Sequence, residues 1–157
     1  MIARTRQRPR IGDVVRITSG NVAAHAQFTH KRDGFGALLR VFDRSEGERE
    51  PTVEEIAQRR VLFSAFFPLG AACQRGIATI VGAAPIRAEL EAFPLFRWNR
   101  GLRLPGFPEN WWLWDGHREW RVGTLSPEHR GLPQLLIIND TLLVERALAG
   151  WTDRDVE

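Results

Sequence analysis

Three strand-like segments follow one another closely near the start of the chain, and this constrains the fold more than any other feature. Segment 22–30 alternates between apolar residues on one side (Ala24, Ala26, Phe28) and polar residues on the other (His25, Gln27, Thr29). Asp13–Thr18 precedes it, and Ala37–Phe42 follows an Asp33-Gly34 turn signal. The short connections permit only tight turns, so we expect consecutive antiparallel strands.

The remaining strand candidates are shorter and are spread along the chain. Val61–Phe67 is dense in aromatic and β-branched residues, which indicates a buried strand ended by Pro68 and Gly70. Further strands are expected at Gly76–Val81, Leu95–Trp98 and Gln134–Ile138. The strands mostly succeed one another instead of alternating with helices, which favours an α+β class over a parallel sheet.

Two helices complete the prediction. Thr52 and Glu55 have the spacing of a capping box, which predicts a short helix over 53–59. A second helix is expected at about 141–149, with Asp140 as N-cap and Gly150 after its end. A hairpin turning at Asn139-Asp140 is the alternative, but ERALAG is poor strand sequence. The predicted fold is therefore α+β and mostly β, a curved antiparallel sheet or partly closed barrel with two short helices.

The charge distribution divides the chain into two parts. It has 22 basic and 19 acidic residues, a net charge of +3. Residues 1–10 contain four arginines and no acid, whereas residues 11–157 carry a net charge of −1. We predict a flexible Arg-rich arm over 1–10 and a single β-rich domain over 11–157. The nearly neutral domain argues against nucleic-acid binding, and the Arg-rich arm and six tryptophans keep it as an alternative.

A tryptophan-rich segment, WWLWDGHREW at 111–120, indicates a hairpin that turns at Asp115-Gly116. A three-residue loop places Trp112 opposite Trp120, and a two-residue loop places Trp111 opposite Trp120. Both faces of the first strand are apolar. Either the strand is buried on both sides, or one face is exposed for a partner.

Motifs for catalysis and metal binding are lacking. The four histidines have no metal-ligand spacing, Cys73 lies in no catalytic signature, and there is no phosphate-binding loop. We therefore predict no catalytic residue, no metal and no cofactor. No apolar run approaches the roughly 18 residues of a membrane span, and no signal peptide is evident. A cytoplasmic protein without a membrane partner is expected, and its oligomeric state is left open.

Trp and Arg are enriched at the centres of protein interfaces, so these residue types direct the prediction of a binding surface. The polar side of segment 25–33 is expected to supply specificity, and the tryptophan hairpin the apolar contacts. The predicted partner-binding residues are His25, Gln27, Thr29, Lys31, Arg32, Asp33, Trp111, Trp112, Trp114 and Trp120.

Several short motifs resemble the immunity protein 26 family of bacterial polymorphic toxin systems. RIGDVVRI at 10–17 is similar to the opening strand of that family, and AHAQF at 24–28 leading into 36–42 to its next two strands. Leu132-Pro133 followed by an apolar strand, and LVER at 143–146, resemble its ending. The resemblance implies a small, mostly β protein that neutralises a cognate protein toxin by binding. The family also includes proteins described as phosphotriesterases, which makes a metal-dependent hydrolase the alternative.

Overall fold

The computed structural model describes residues 8–44, 47, 49–101, 105–106 and 108–155. Most of the predicted Arg-rich arm, residues 1–7, lies outside them. In chain order the strands are β1 Asp13–Ser19, β2 Val22–Arg32, β3 Gly36–Phe42, β4 Val61–Phe67, β5 Ala78–Ala83, β6 Phe96–Asn99, β7 Trp111–Trp114 and β8 Glu119–Gly123. The helices are α1 Val53–Ala57, α2 Leu69–Gln74, α3 Ala88–Glu91 and α4 Asp140–Leu148, with 3-10 turns at Pro127–His129 and Asp153–Asp155.

Two antiparallel sheets form the body of the protein. The first has the order β4-β3-β2-β1-β5 and the second β6-β7-β8. Segment 133–138 lies between them. Arg97 of β6 pairs with Gln134, and Phe66 of β4 pairs with Ile137, both in parallel orientation. This linking segment joins the two sheets into one partly curled layer. The predicted strand Gln134–Ile138 is therefore present only as two isolated bridges.

The main core lies between the first sheet and α4. Helix α4 packs across β1, β2 and β3, burying Leu143, Val144 and Ala147 against Val15, Ile17 and other residues of the sheet. On the opposite face, Ile56 and Ala57 of α1 pack with Val14 and Phe42. Both faces of the first sheet are therefore covered, which explains the long apolar runs of β3 and β4.

The helix caps confirm the local sequence signals. The Thr52 hydroxyl accepts a hydrogen bond from the Glu55 N–H at 3.2 Å, as the capping-box pattern predicts. Helix α4 is also confirmed, but its N-cap is Asn139, whose side chain accepts from the Leu142 N–H at 2.8 Å. The α+β, mostly β class is correct, whereas the prediction of two helices is wrong. The described residues contain four, because α2 starts directly after Pro68 and α3 forms within the Pro-rich stretch.

The tryptophan hairpin forms, but in neither predicted register. Leu113 lies opposite Trp120, and Trp112 lies opposite Arg121. The cross-strand tryptophan pair is instead formed with β6, where Trp98 faces Trp112.

Candidate partner-binding site

Three side chains form a stack on the face of the second sheet that also carries Phe96 and Trp114. Trp98 and Trp112 are direct partners on β6 and β7, so their rings project from the same face. The guanidinium carbon of Arg100 lies 4.1 Å from the Trp98 ring centroid and 4.2 Å from that of Trp112. A cation over two indole faces is attracted by both ring quadrupoles. The two rings therefore restrict the position of the Arg100 guanidinium.

Charged residues of β8 continue this face. Arg100 forms an ion pair with Glu119 at 2.6 Å, and Arg121 donates to the Asn110 side-chain oxygen at 2.7 Å. Glu119 faces Trp114 and Arg121 faces Trp112 across the strand pair. The apolar centre of the face is thus bordered by alternating positive and negative groups.

An open groove of about 570 Å³ lies between this face and the linking segment. We call it the aromatic groove. Its lining is predominantly apolar and consists of Phe35, Trp98, Arg100, Trp114, Glu119, Leu135, Leu136 and Ile137. Ile137 is 52% exposed at the edge of this groove. The groove can accept an apolar side chain between two charged residues of its rim.

A packed aromatic cluster supports the groove from below. The Trp114 ring centroid lies 5.0 Å from that of Phe35, 5.5 Å from Phe93 and 5.7 Å from Phe96. Phe66 and Phe96 are fully buried and stack at 5.4 Å. Interlocked rings restrict one another's rotamers, so Trp114 is presented on a rigid base.

The structure corrects part of the predicted polar strip. Gln27 and Thr29 are buried and have no surface to offer a partner. The Gln27 amide donates to the main-chain oxygens of Gly12 and Ala84, at 3.2 and 2.9 Å. The Thr29 hydroxyl accepts from Arg40 Nε at 3.0 Å. Both side chains therefore form hydrogen bonds between separate segments of the chain, as buried polar groups usually do.

The other residues of the strip lie at separate places. His25 borders a second cavity of about 420 Å³, together with Arg44, Arg49 and Arg59. Burial lowers the pKa of His25, and the nearby charges of Arg59 and Arg16 lower it further.

Lys31 and Asp33 are exposed, whereas Arg32 is partly buried. The Arg32 guanidinium lies 4.0 Å from the Phe93 ring centroid. Phe93 also contacts Trp114. Arg32 is therefore a predicted polar residue that lies beside the aromatic cluster, in contact with Phe93.

The predicted tryptophans divide between the two faces of the second sheet. Trp111 is buried with Leu113 and Leu125, which confirms burial for one face of the strand. Trp112 and Trp114 are half-buried on the other face, which carries the groove. Trp120 is 39% exposed and pairs with Leu113, so it belongs to the opposite face from the groove.

A buried arginine, Arg40, was missed by the sequence analysis. Its guanidinium donates to the hydroxyls of Thr29 and Ser64 at 3.0 and 3.1 Å, and to the main-chain oxygens of Leu90 and Ala92 at 3.3 Å. Burial lowers the pKa of Arg40 to about 10. The signal available in the sequence is one arginine inside the otherwise apolar strand GALLRVF.

A second polar cluster joins the C-terminal turn to both sheets. Arg97 is 2% exposed and donates to the main-chain oxygens of Leu132 and Asp153, at 2.9 and 2.6 Å. The Ser64 N–H donates to the Asp153 carboxyl at 3.3 Å. Burial raises the pKa of Asp153 to about 7, against the opposing effects of the Ser64 hydrogen bond and of nearby arginines.

Three further observations concern other kinds of site. Within the described part of the chain, no group of three or more His, Cys, Asp or Glu is placed to hold a metal ion. Cys73 is partly buried, and burial raises the pKa of its thiol. None of the helices described is long and apolar enough to cross a membrane.

Comparison of the chain with protein-family models, with curated proteins and with solved structures finds no match.

Proposed function

We propose that this protein is an immunity-type protein that binds and neutralises a bacterial protein toxin without catalysis. The observation that carries the proposal is the aromatic groove, an open apolar surface on a rigid aromatic base with a pre-positioned arginine at its rim. Neutralisation by occlusion requires only a preorganised interface of standard size, about 800 Å² on each partner.

The chemistry of the groove specifies the contact on the toxin. Trp114 and Ile137 line an apolar site that fits one apolar side chain of the toxin. Arg100 and Arg121 lie on the same face with Glu119 as the acidic neighbour. This excess of positive charge favours acidic residues beside the toxin's apolar anchor. Such central aromatic and arginine contacts are the ones that dominate binding energies.

The sequence resemblance supports the same function. Most of its motifs lie outside the groove, whereas the motif that begins at Leu132-Pro133 continues into the linking segment that lines it. The motifs at 10–17 and 24–28 lie on β1, β2 and the turn before them, away from the groove. In this proposal they belong to the scaffold, and the second sheet provides the contact surface. The scaffold and the surface can therefore be tested independently.

The test requires a toxin domain, which is to be sought among the proteins encoded beside this chain's gene. Co-expression of the chain should restore growth of cells producing that domain, and the purified proteins should bind in calorimetry. Ile137→Asp places a charge in the groove and should weaken binding by about 30-fold or more, as expected for a hot-spot position. Ile137 is 52% exposed, so the variant should fold.

Val22→Asp is the matched control, because Val22 is a 47% exposed apolar residue outside the groove. It should leave the affinity within about two-fold of the parent, as expected for a surface substitution outside an interface. Tight binding that survives Ile137→Asp would contradict the groove as the contact surface. Absence of both binding and growth rescue would contradict the function itself.

A further inference from the structure

Strand β8 forms one end of the second sheet, with β7 as its neighbour on one side. Its first three residues, Glu119, Trp120 and Arg121, are all exposed. An uncovered edge strand presents main-chain donors and acceptors to any strand of suitable register. The Glu119 side chain also lines the aromatic groove, but the inference below concerns the main-chain edge of β8 and does not depend on the proposed function.

The hydrogen-bond pattern of the hairpin shows which groups the edge presents. The Asp115 N–H donates to the Arg118 oxygen at 3.1 Å, so residues 115 and 118 form a hydrogen-bonded pair. Paired positions alternate along an antiparallel ladder, which makes Leu113 and Trp120 the next hydrogen-bonded pair. The main-chain groups of Glu119 and Arg121 therefore point away from β7, toward the open edge.

The side chains of this edge are self-complementary. If two copies pair antiparallel with Trp120 opposite Trp120, then Glu119 of each copy lies opposite Arg121 of the other. The outward main-chain groups of residues 119 and 121 then form two hydrogen-bonded pairs. Opposite charges directly across a ladder stabilise it, and aromatic pairs add to this. The next pair outward, Arg118 with Val122, brings no like charges together.

We propose that β8 mediates a symmetric homodimer, in which two copies of the chain pair antiparallel about Trp120. The 39% exposure of Trp120 in a single copy is then reduced by its counterpart at the two-fold axis. Glu119 keeps its ion pair with Arg100 and accepts from Arg121 of the second copy, since a carboxylate has room for several donors. The contact is short, below the size of standard interfaces, so the dimer is weak and reversible.

Charge reversal tests the register directly. Sedimentation velocity from about 10 μM to about 1 mM should show a concentration-dependent dimer, since this range covers weak complexes. Glu119→Arg and Arg121→Glu each place like charges opposite one another twice, and each should raise the dissociation constant by about ten-fold or more. The double variant Glu119→Arg/Arg121→Glu restores opposite charges across the interface but still lacks the Arg100–Glu119 ion pair, so its dissociation constant should lie between those of the single variants and that of the parent. Glu145→Arg, the same change at an exposed position of α4, should leave it unchanged.

A cross-linking experiment provides the second readout. In a Cys73→Ser background, Trp120→Cys places two thiols at the two-fold axis. The Cα atoms of a pair that is not hydrogen-bonded lie about 4.5 Å apart, within the range of a disulfide. Mild oxidation should give a covalent dimer, whereas Val22→Cys in the same background should not. The proposal would be overturned by a chain that stays monomeric at about 1 mM, or by single charge reversals that leave the dimer unchanged. It would also be overturned by a double variant that dimerises no better than the single variants. The first of these results would leave the edge available for a strand of a different protein.

Discussion

Replacement of Asp153 by asparagine should change how the stability of the protein depends on pH. The Asp153 carboxyl is largely enclosed beneath β4 and β6, and burial raises its pKa from an ordinary 3.8 to about 7. The Ser64 N–H and the charges of Arg97, Arg146 and Arg40 oppose this rise without cancelling it. The folded protein therefore holds a proton on Asp153 at pH values where the unfolded chain has lost it.

The sign and size of the effect follow from this difference. A carboxyl that binds its proton more tightly in the folded state stabilises that state fully below its unfolded pKa, and this contribution is lost as pH rises through the folded pKa. For Asp153 the window runs from 3.8 to about 7. That interval corresponds to about 4 kcal/mol of unfolding free energy, at about 1.4 kcal/mol for each tenfold change in proton affinity.

Urea unfolding followed by tryptophan fluorescence, at pH values from about 4 to about 8 around this window, measures the effect. At each pH, the unfolding free energy of Asp153→Asn is subtracted from that of the parent, so that contributions from shared titrating groups cancel. The difference should fall by about 4 kcal/mol between the acidic and the neutral end, because asparagine does not titrate. A difference that stays constant with pH would refute the protonated state of Asp153 in the folded protein.

Two further substitutions test other parts of the structure. Arg40→Ala removes a buried guanidinium with four hydrogen bonds and leaves its acceptors unpaired, so the unfolding free energy in urea should fall by about 3 kcal/mol or more. Gly116→Ala adds a Cβ that would lie 2.7 Å from the Phe93 ring, at a φ of +98°. It should lower the melting temperature more than Gly34→Ala, by the equivalent of about 1–2 kcal/mol of unfolding free energy. Gly34 has a similar φ of +83°, but nothing lies within 4 Å of an added Cβ there. Equal effects of the two glycine substitutions would contradict the close approach of the hairpin turn to Phe93.

Elements that depend on local patterns were predicted well. β1, β2 and β3 fall where alternation and the turn signals place them, and helix α1 begins at the capping box of Thr52. Such signals act over a few residues and need no knowledge of the tertiary structure. Helix α2 was missed because its six residues, LGAACQ, form a single turn and a half that packs against β5. A helix this short is stabilised by tertiary contacts, which local sequence does not reveal.

The error in the hairpin register has a specific cause. The Asp115 side chain accepts hydrogen bonds from the main-chain N–H groups of His117 and Arg118, at 2.9 and 2.7 Å. This moves the centre of the turn to Gly116-His117 and places Leu113 opposite Trp120. An Asp-Gly sequence allows Asp either inside the turn or before it as an acceptor, and periodicity does not distinguish these arrangements.

The polar strip was misjudged for a different reason. Alternation correctly assigned Ala24, Ala26 and Phe28 to the core side of β2. Alternation shows which residues share a face of the strand, but it does not show whether the polar face is covered by another part of the protein. Here the main chain around Ala84, distant in sequence, comes close enough to accept a hydrogen bond from Gln27. Burial of Gln27 therefore depends on tertiary contacts that a single strand's pattern does not contain.

The linking segment connects the buried arginines with the proposed binding surface. Arg97 binds this region through its main-chain N–H, which donates to Pro133 at 2.9 Å, and through its side chain, which reaches Leu132 and Asp153. Leu135 and Ile137 of the same segment form one wall of the aromatic groove. The position of that wall is thus fixed by its main-chain hydrogen bonds to β4 and β6 and by the Arg97 side chain. Substitutions on the wall that face solvent, such as Ile137→Asp, should alter binding while the wall stays in place. Substitutions at Arg97 should displace the wall and affect stability and binding together, and this difference separates contact residues from positioning residues.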